Sequence, residues 1–441
     1  MLNIIFSIIL CILLFYTTNT FILKKTNTFI LKKTNTFILK NKLKNIENFI
    51  SLFSNETFEH SLNESFKILN KNKFITYNGK SNSAINGQII LFNTLNKYDH
   101  KKYTILRWID FRNEKLRHSK KYCIAYFEYL KKNFIKQNIN YIFDFAGYHG
   151  ILDDKVRLWI KLKEVYGRDL ANTIMPKTYL IPNDYELFMK NYQENKKYIL
   201  KNSFGGARSS IKITRSKKEI MDIFNKNKSE NFNPYSCEDA VCYSDVKYNI
   251  IQEFIQPSFL LNGYKMGIRL YVVLLNSDNN TKRLLWKDGM CYYSKKKYVD
   301  DENMDNNVVG SIKKIADVIK NNNFPVSYLD FKEYSKKNIK DYDKKFKNFE
   351  FKINKYLDCI LTSNKDELFY FNDYQNIKKF SIFGFDIEFD ENFNPVIYEG
   401  NYYFARFTPN TNYGTIIENL YHDIFYELGL SKNSKHGFFN I

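Results

Sequence analysis

Cysteine, proline and histidine are scarce in this 441-residue chain, at six, seven and six residues. The cysteines (Cys11, Cys123, Cys237, Cys242, Cys291 and Cys359) are scattered and contain no C-x-x-C pair, which argues against a disulfide framework and against a zinc site. With so little proline and only 16 glycines, collagen-like and Pro-rich fibrous architectures are excluded. Long hydrophobic runs are missing too. Only Ile4–Tyr16 approaches a membrane span, and its 13 residues fall short of the ~20 a spanning helix needs, so a polytopic membrane protein is excluded. The chain has no G-x-x-x-x-G-K-[ST] phosphate loop, and no RNP, zinc-finger or helix-turn-helix signature, so no nucleic-acid partner is expected. Finally, the first 46 residues carry seven lysines and no acid.

What is present points to a folded protein. Hydrophobic residues make up 44% of the chain and aromatics 17%, with 39 Phe and 34 Tyr, enough apolar surface for two or three domains. The net charge is +20, from 67 basic and 47 acidic residues. Such an excess favours polyanionic partners, but a solvated lysine-rich surface accounts for it equally well. Charge by itself selects no function.

Five segments are expected. Residues 1–17 read as a signal peptide or anchor, since a 13-residue apolar core suits a signal sequence better than a span. Residues 18–46 repeat TNTFILKK at Thr18–Lys25 and Thr26–Lys33, then TNTFILKN at Thr34–Asn41, and read as a basic, poorly ordered leader. An apolar core followed by a basic stretch suggests delivery to the secretory route or a plastid-like compartment. The alternative is a membrane anchor that leaves the catalytic domain in the cytosol, because all flanking lysines follow the apolar run. Membrane contact is expected only through this segment. Residues 47–149 form an N-terminal region, 150–249 a central unit and 250–430 a C-terminal unit. Asp153–Val165 shows helical periodicity, as do Phe127–Phe134, Val309–Lys320 and Phe346–Leu361. Tyr198–Lys201, Ile211–Ile213, Ile250–Ile255, Ile268–Leu275, Phe383–Phe389 and Val396–Asn401 read as strands. The mixture predicts an α+β or α/β architecture. Asn225–Asp239 and Lys332–Asn348, rich in Asn, Lys and Asp, read as surface insertions.

The most informative stretch is Phe383–Asn401, FGFDIEFDENFNPVIYEGN. Two period-two runs flank a turn at Asp390–Pro395. A regular hairpin centred between Asn392 and Phe393 places Asp386 opposite Glu399, with Asn401 on the same face. Two carboxylates and an amide oxygen are hard ligands suited to magnesium; an exposed edge hairpin with solvated acids is the plainer alternative. On Lys265–Leu275, Lys265, Gly267 and Arg269 share one face of a hydrophobic strand. Their cations call for an anion, either a phosphate or nearby Asp and Glu. Lys201 ends another apolar strand, before the flexible Asn202–Ser210.

Taken in order, these segments resemble the tubulin–tyrosine ligase and tubulin polyglutamylase-like family, which has an ATP-grasp fold. The resemblance begins near Gly150–Lys155 and continues through Met175–Pro182, similar to P-x-T-[YF]-x-L-P. Tyr198–Lys201 is similar to W-I-x-K, and Ile251–Pro257 to Q-x-Y-I-x-x-P. Lys265–Val273 is similar to K-F-D-x-R-x-Y-V, and Phe383–Asn401 to F-G-F-D followed by E-x-N. It implies an α+β ATP-grasp fold, two subdomains sandwiching ATP, here with an N-terminal α/β extension. Asp386, Glu399 and Asn401 would then hold Mg2+ on the ATP phosphates. Lys201, Lys265 and Arg269 would contact those phosphates, with Lys155 a further candidate, and Lys265 and Arg269 would serve catalysis. Backbone groups of Glu253 and Ile255, beside Gln252, would read adenine. The implied reaction joins an amino acid to a protein carboxylate by way of an acyl phosphate, by glutamylation or tyrosination, and an acidic tail such as that of tubulin would be the acceptor.

Four departures stand out. The family's Asp in K-F-D-x-R is Gly267, and an expected Arg is Tyr292. The H-L-T-N block is replaced around Asp305–Ser311, and G-x-G-I becomes Arg208–Ile211. They leave a nucleotide-binding pseudoenzyme or scaffold as the alternative function.

Overall fold

The computed structural model describes residues 152, 154–203, 211–229, 248–277, 280–309, 312–368, 378–401 and 411–441, with the backbone of two earlier strands. The leader, the octapeptide repeat, the helix expected at Phe127–Phe134 and the Phe204–Ser210 loop lie outside the described residues.

The two earlier strands, β1 (Ile105–Arg107) and β2 (Tyr141–Phe143), run parallel to each other and lead to a large sheet. Helix α1 (Lys155–Ile174) follows. Asp154 caps it, its carboxylate accepting from the amides of Val156 at 2.9 Å and Arg157 at 3.3 Å. The periodicity expected over Asp153–Val165 buries Val156, Leu158, Trp159 and Leu162. At Gly167 the backbone takes a positive φ of 77°, and the helix resumes to Ile174, where Ala171 and Ile174 are again buried.

A four-stranded antiparallel sheet comes next, with strands ordered β3 (Thr178–Leu180), β6 (Ile250–Glu253), β4 (Tyr198–Lys201) and β5 (Ile211–Thr214). Helices α2 (Tyr185–Asn191) and α3 (Lys217–Ser229) supply Phe188, Ile220 and Phe224 to its core. The boundary expected at residues 249/250 therefore shifts, because β6 hydrogen-bonds to β3 and β4 and so belongs to this smaller unit.

The large sheet runs β1-β2-β10-β8-β9-β12, with β11 on β10 and β7 on β8. Its long strands are β8 (Tyr264–Ser277), β9 (Asn280–Tyr293) and β10 (Lys378–Phe389), beside β7 (Leu260–Leu261), β11 (Pro395–Asn401) and β12 (Phe438–Asn440). β2 pairs with Lys378–Phe380, so the two earlier strands join this sheet. Between β9 and β10 lie α4 (Met304–Asn307), α5 (Ile312–Asn322), α6 (Tyr328–Asn338), α7 (Tyr342–Ser363) and α8 (Lys365–Leu368); α9 (Asn412–Glu427) follows β11. The expected insertion at Lys332–Asn348 is instead the end of α6 and the start of α7. Its outer positions are polar, while Phe331, Ser335 and Phe346 face inward. Ser327 and Asp330 form a reciprocal capping box at the start of α6.

The β10–β11 turn shows why a phenylalanine sits among polar residues. Asp390 accepts from the amides of Asn392 and Asn394 at 2.9 and 2.8 Å, an Asx-type turn. Phe393 adopts a φ of 63° and is fully buried against Phe331, Phe346, Phe349 and Phe389. With α1 and α7 packing on β11, the hairpin is not a solvated edge.

Candidate active site

The register of three neighbouring strands sets the site. Asp386 on β10 lies opposite Arg269 on β8 and opposite Glu399 on β11, the pairing expected above. One step nearer the turn the ladder slips, so Ile387 faces Ile397 and Tyr398 is the bulged residue. A bulge re-aims side chains. Here the Tyr398 ring lies 4.4 Å from the Lys201 ammonium, while Glu399 reaches Lys155.

Each expected cation meets an oxygen of a neighbouring side chain. Arg269 donates from Nε and Nη2 to the two Asp386 oxygens at 2.6 and 2.7 Å, a bidentate fork. Lys155, the first residue of α1, pairs with Glu399 at 2.6 Å. Lys265 pairs with Glu388 at 2.5 Å and lies 3.9 Å from the Phe254 ring centroid. Lys201 donates to Gln252 Oε1 at 2.8 Å, and Gln252 donates on to Thr178 Oγ1 at 3.1 Å. Intramolecular pairing, one of the two readings open for the β8 cations, is what the structure displays. Two glycines make room for it. A Cβ at Gly384 would lie 2.9 Å from Arg269 Cδ, and one at Gly400 only 2.6 Å from the Leu152 carbonyl. The second close approach delivers the start of α1, and with it Lys155, to β11.

Electrostatics follow burial and these pairings. Burial lowers the Lys201 ammonium to about 8, with Glu399 the principal opposing charge. Burial likewise lowers Lys265, opposed by Glu388. Glu399 moves the other way: burial raises it, but Lys155, Lys201 and Arg269 outweigh that and hold it at about 2. Asp386 is raised by burial and by the neighbouring Glu399, against the pull of Arg269.

Asp386, Glu399 and Asn401 come together as the candidate metal triad. Asn401 Nδ2 lies 3.2 Å from Asp386 Oδ2 and 3.4 Å from Glu399 Oε1, so both carboxylates converge on one atom. The two ends of an asparagine amide are distinguished only by hydrogen bonding, and rotating it presents a third oxygen at that point. Among the described residues no three His, Cys, Asp or Glu side chains converge as a metal site. The candidate therefore rests on two acids and an amide, a hard-oxygen set that fits Mg2+.

The remaining expected residues are distributed differently. Gln252 is fully buried and its side chain orients Lys201. Glu253 points its carboxylate to Lys196 at 2.9 Å and gives its backbone N–H to the Lys177 carbonyl at 2.9 Å. The Ile255 carbonyl accepts from Ser258 at 2.6 Å. Tyr292, where the resemblance has arginine, lies 5.3 Å below the Arg269 guanidinium, a cation–π contact, and stacks on Tyr413. Tyr292 thus supports an existing cation and adds none.

Two partners escaped the sequence reading. Glu388 follows Asp386 by two residues, so period-two alternation was signal enough to find it. Lys197 is completely buried, reaching Asn307 Oδ1 at 2.5 Å, the Asp301 carbonyl at 3.2 Å and Asp300 at 3.0 Å. It pins Tyr298–Asn307, a segment that ends in α4 and includes the first three residues of the departed H-L-T-N region, beside the start of β4. No local pattern announces such a lysine.

Comparison with known proteins adds three findings. The profile of the tubulin-tyrosine ligase family matches residues 128–433. Tubulin polyglutamylase TTLL7 of Mus musculus is 25% identical over 143 residues, covering 31% of this chain and 13% of that protein. The probable tubulin polyglutamylase ttll-9 of Caenorhabditis elegans is 24% identical over 250 residues, 55% of each. The chain thus spans little more than half of one relative and a small part of the other. Among solved structures, the C-terminal domain from K. lactis Pby1, an ATP-grasp enzyme interacting with the mRNA decapping enzyme Dcp2, is similar with a TM-score of 0.50 and 15% identity, over 80% of this chain and 94% of that one. This likeness concerns the fold, which is α+β and of ATP-grasp type.

Proposed function

The chain belongs to the tubulin-tyrosine ligase family, and on that premise we propose that it is an ATP- and magnesium-dependent ligase joining an amino acid to a protein carboxylate. One observation carries this reading: Asp386 is held in a bidentate fork by Arg269 while it converges with Glu399 on Asn401. Removing one partner of this half-buried ion pair is unfavourable. A magnesium nucleotide avoids that loss, because it brings both signs of charge together. Asp386, Glu399 and Asn401 would take the cation, and Arg269, Lys265, Lys201 and Lys155 would take the phosphates.

Each residue then has a physical task. Arg269 offers a planar fork to phosphate oxygens, and Lys201 and Lys265 offer point charges from buried positions where electrostatic attraction is strong. Gln252 aims Lys201, and Tyr292 braces Arg269. Bound magnesium would neutralise phosphate charge and orient the transferred group. The substrate carboxylate would displace ADP from the γ-phosphorus, and an amine would then displace phosphate from the acyl carbon with loss of a proton. The chain's contribution is positioning and charge neutralisation, with no covalent nucleophile.

An acidic protein tail, tubulin's among the candidates, suits the basic surface as acceptor, and the relatives' names favour glutamate as the added amino acid. The N-terminal leader bears on that choice. Delivery to a secretory or plastid-like compartment would separate the enzyme from cytosolic tubulin, whereas an anchor would not. N-terminal sequencing and localisation of a C-terminally tagged chain separates the two.

The deciding experiment incubates the protein with Mg-ATP, labelled glutamate, tyrosine or glycine, and tubulin or acidic peptides. Label in the acceptor together with ADP supports the ligase. ATP binding without ADP release or label supports the second reading, a nucleotide-binding pseudoenzyme, favoured by Tyr292 at the arginine position and by Gly267.

A further inference from the structure

Strand β8 carries Lys265, Gly267 and Arg269 on one face, and its neighbour β10 carries Asp386 and Glu388 on the matching face. Arg269 faces Asp386 directly across the ladder. The next step along the same face brings Glu388 over Gly267: a Cβ built on Gly267 would lie 3.5 Å from Glu388 Cγ and 3.3 Å from the Ile387 carbonyl. Glu388 then reaches Lys265 at 2.5 Å. Lys265 is 1% exposed and Glu388 9%. With Phe254 covering one side of the ammonium, Glu388 is the carboxylate that fixes its charge and direction.

A side chain at 267 would pack directly against Glu388 and against Val309, whose Cγ2 also lies 3.5 Å from that Cβ. An aspartate at 267 beside Glu388 would also oppose two like charges across neighbouring strands, which destabilises a sheet. An acid at 267 and an acid at 388 are therefore alternatives, and this chain holds the second. We propose that Glu388 is a positioning residue for nucleotide binding, aiming Lys265 into the cleft from β10 and supplying the carboxylate that β8 lacks at Gly267. This inference rests on the nucleotide reading above and adds to it a residue and a pairing rule.

The test is a swap, using the full chain as wild type, Glu388→Leu, Glu388→Gln, Gly267→Asp and the double Gly267→Asp/Glu388→Leu. A fluorescent N-methylanthraniloyl ATP with magnesium is titrated into each, and each is melted without nucleotide. Glu388→Leu is expected to weaken binding about tenfold and Glu388→Gln about threefold, in line with loss of one charged partner. Gly267→Asp alone is expected to weaken it about tenfold through like-charge opposition. The double variant is expected to recover to within about threefold of wild type, which a merely structural role for Glu388 does not produce. The magnesium dependence of binding is expected to stay unchanged in Glu388→Leu, because Asp386, Glu399 and Asn401 are untouched.

Wild-type affinity in Glu388→Leu, or a double variant no better than its weaker parent, overturns the proposal. Should Glu388→Leu fail to fold, Glu388→Gln and the double variant decide on the same criteria. A folded wild type that binds no nucleotide overturns the nucleotide reading and this inference with it; unaltered variants beside a binding wild type overturn this inference alone.

Discussion

Two carboxylates, one sealed in the core and one partly exposed, show how differently this molecule treats charge. Asp423 on α9 is fully buried and surrounded by donors: Trp286 Nε1 and Ser434 Oγ at 2.7 Å, the amides of His436 and Gly437 at 3.0 Å, and that of Lys435. Burial raises it, yet these hydrogen bonds outweigh burial and hold it below the ordinary aspartate value. The clamp ties the C-terminal segment, and β12 with it, onto β9. Asp386, by contrast, depends on one arginine and sits beside a second carboxylate, and burial leaves it raised. A saturated carboxylate holds structure. Asp386 and its partner lie on a partly exposed face, where an incoming charge can reach them.

The sharpest way to break the comparison is at Asp423. Asp423→Ala is expected to cost about 3–5 kcal/mol in denaturant unfolding, since several buried donors lose their acceptor together. Nucleotide affinity of the folded fraction is expected to stay within about twofold of wild type. Asp386→Asn is expected to do the reverse, lowering turnover about a hundredfold or more with a much smaller loss of stability. A variant that lost both properties equally would erase the distinction.

Lys201 sharpens it through pH. Burial depresses its ammonium to about 8 from the ordinary lysine value, so burial of the charged form costs stability in full below pH 8. That cost disappears as pH rises towards the unfolded lysine's value. The ammonium offered to an anion is lost over the same range. ATP affinity is therefore expected to fall up to about tenfold between pH 7 and pH 9, while Lys201→Arg flattens the profile. Binding titrations at fixed ionic strength measure both. The smallest effect belongs to neither region: Ser327→Ala removes half of the α6 capping box and is expected to cost about 1 kcal/mol with unchanged affinity.

The hairpin was legible because alternation and turn composition mark it locally; the turn itself is centred on Asn392, and the one-residue slip brings Asp386 opposite Glu399, where a hairpin centred between Asn392 and Phe393 had placed it. The slip at Tyr398 was not, since a bulge depends on how Lys201 and α1 pack against the strand. β9 escaped because Lys282, Arg283, Lys287 and Asp288 interrupt its apolar alternation, and Gly289 admits the Arg269 carbonyl at a break in register. The helices over Lys332–Asn348 were hidden by their polar outer faces. Lys197 and Asn307 are 110 residues apart, and only tertiary structure brings them together.

Gly400 carries a consequence of its own. With no room for even one methyl group between β11 and the Leu152 carbonyl, Gly400→Ala would act as a wedge, prising the root of α1 away from the acids it serves. A fragment designed to begin after Asp154 would leave the same seam open from the other side, so a workable N-terminal truncation has to start upstream of Leu152.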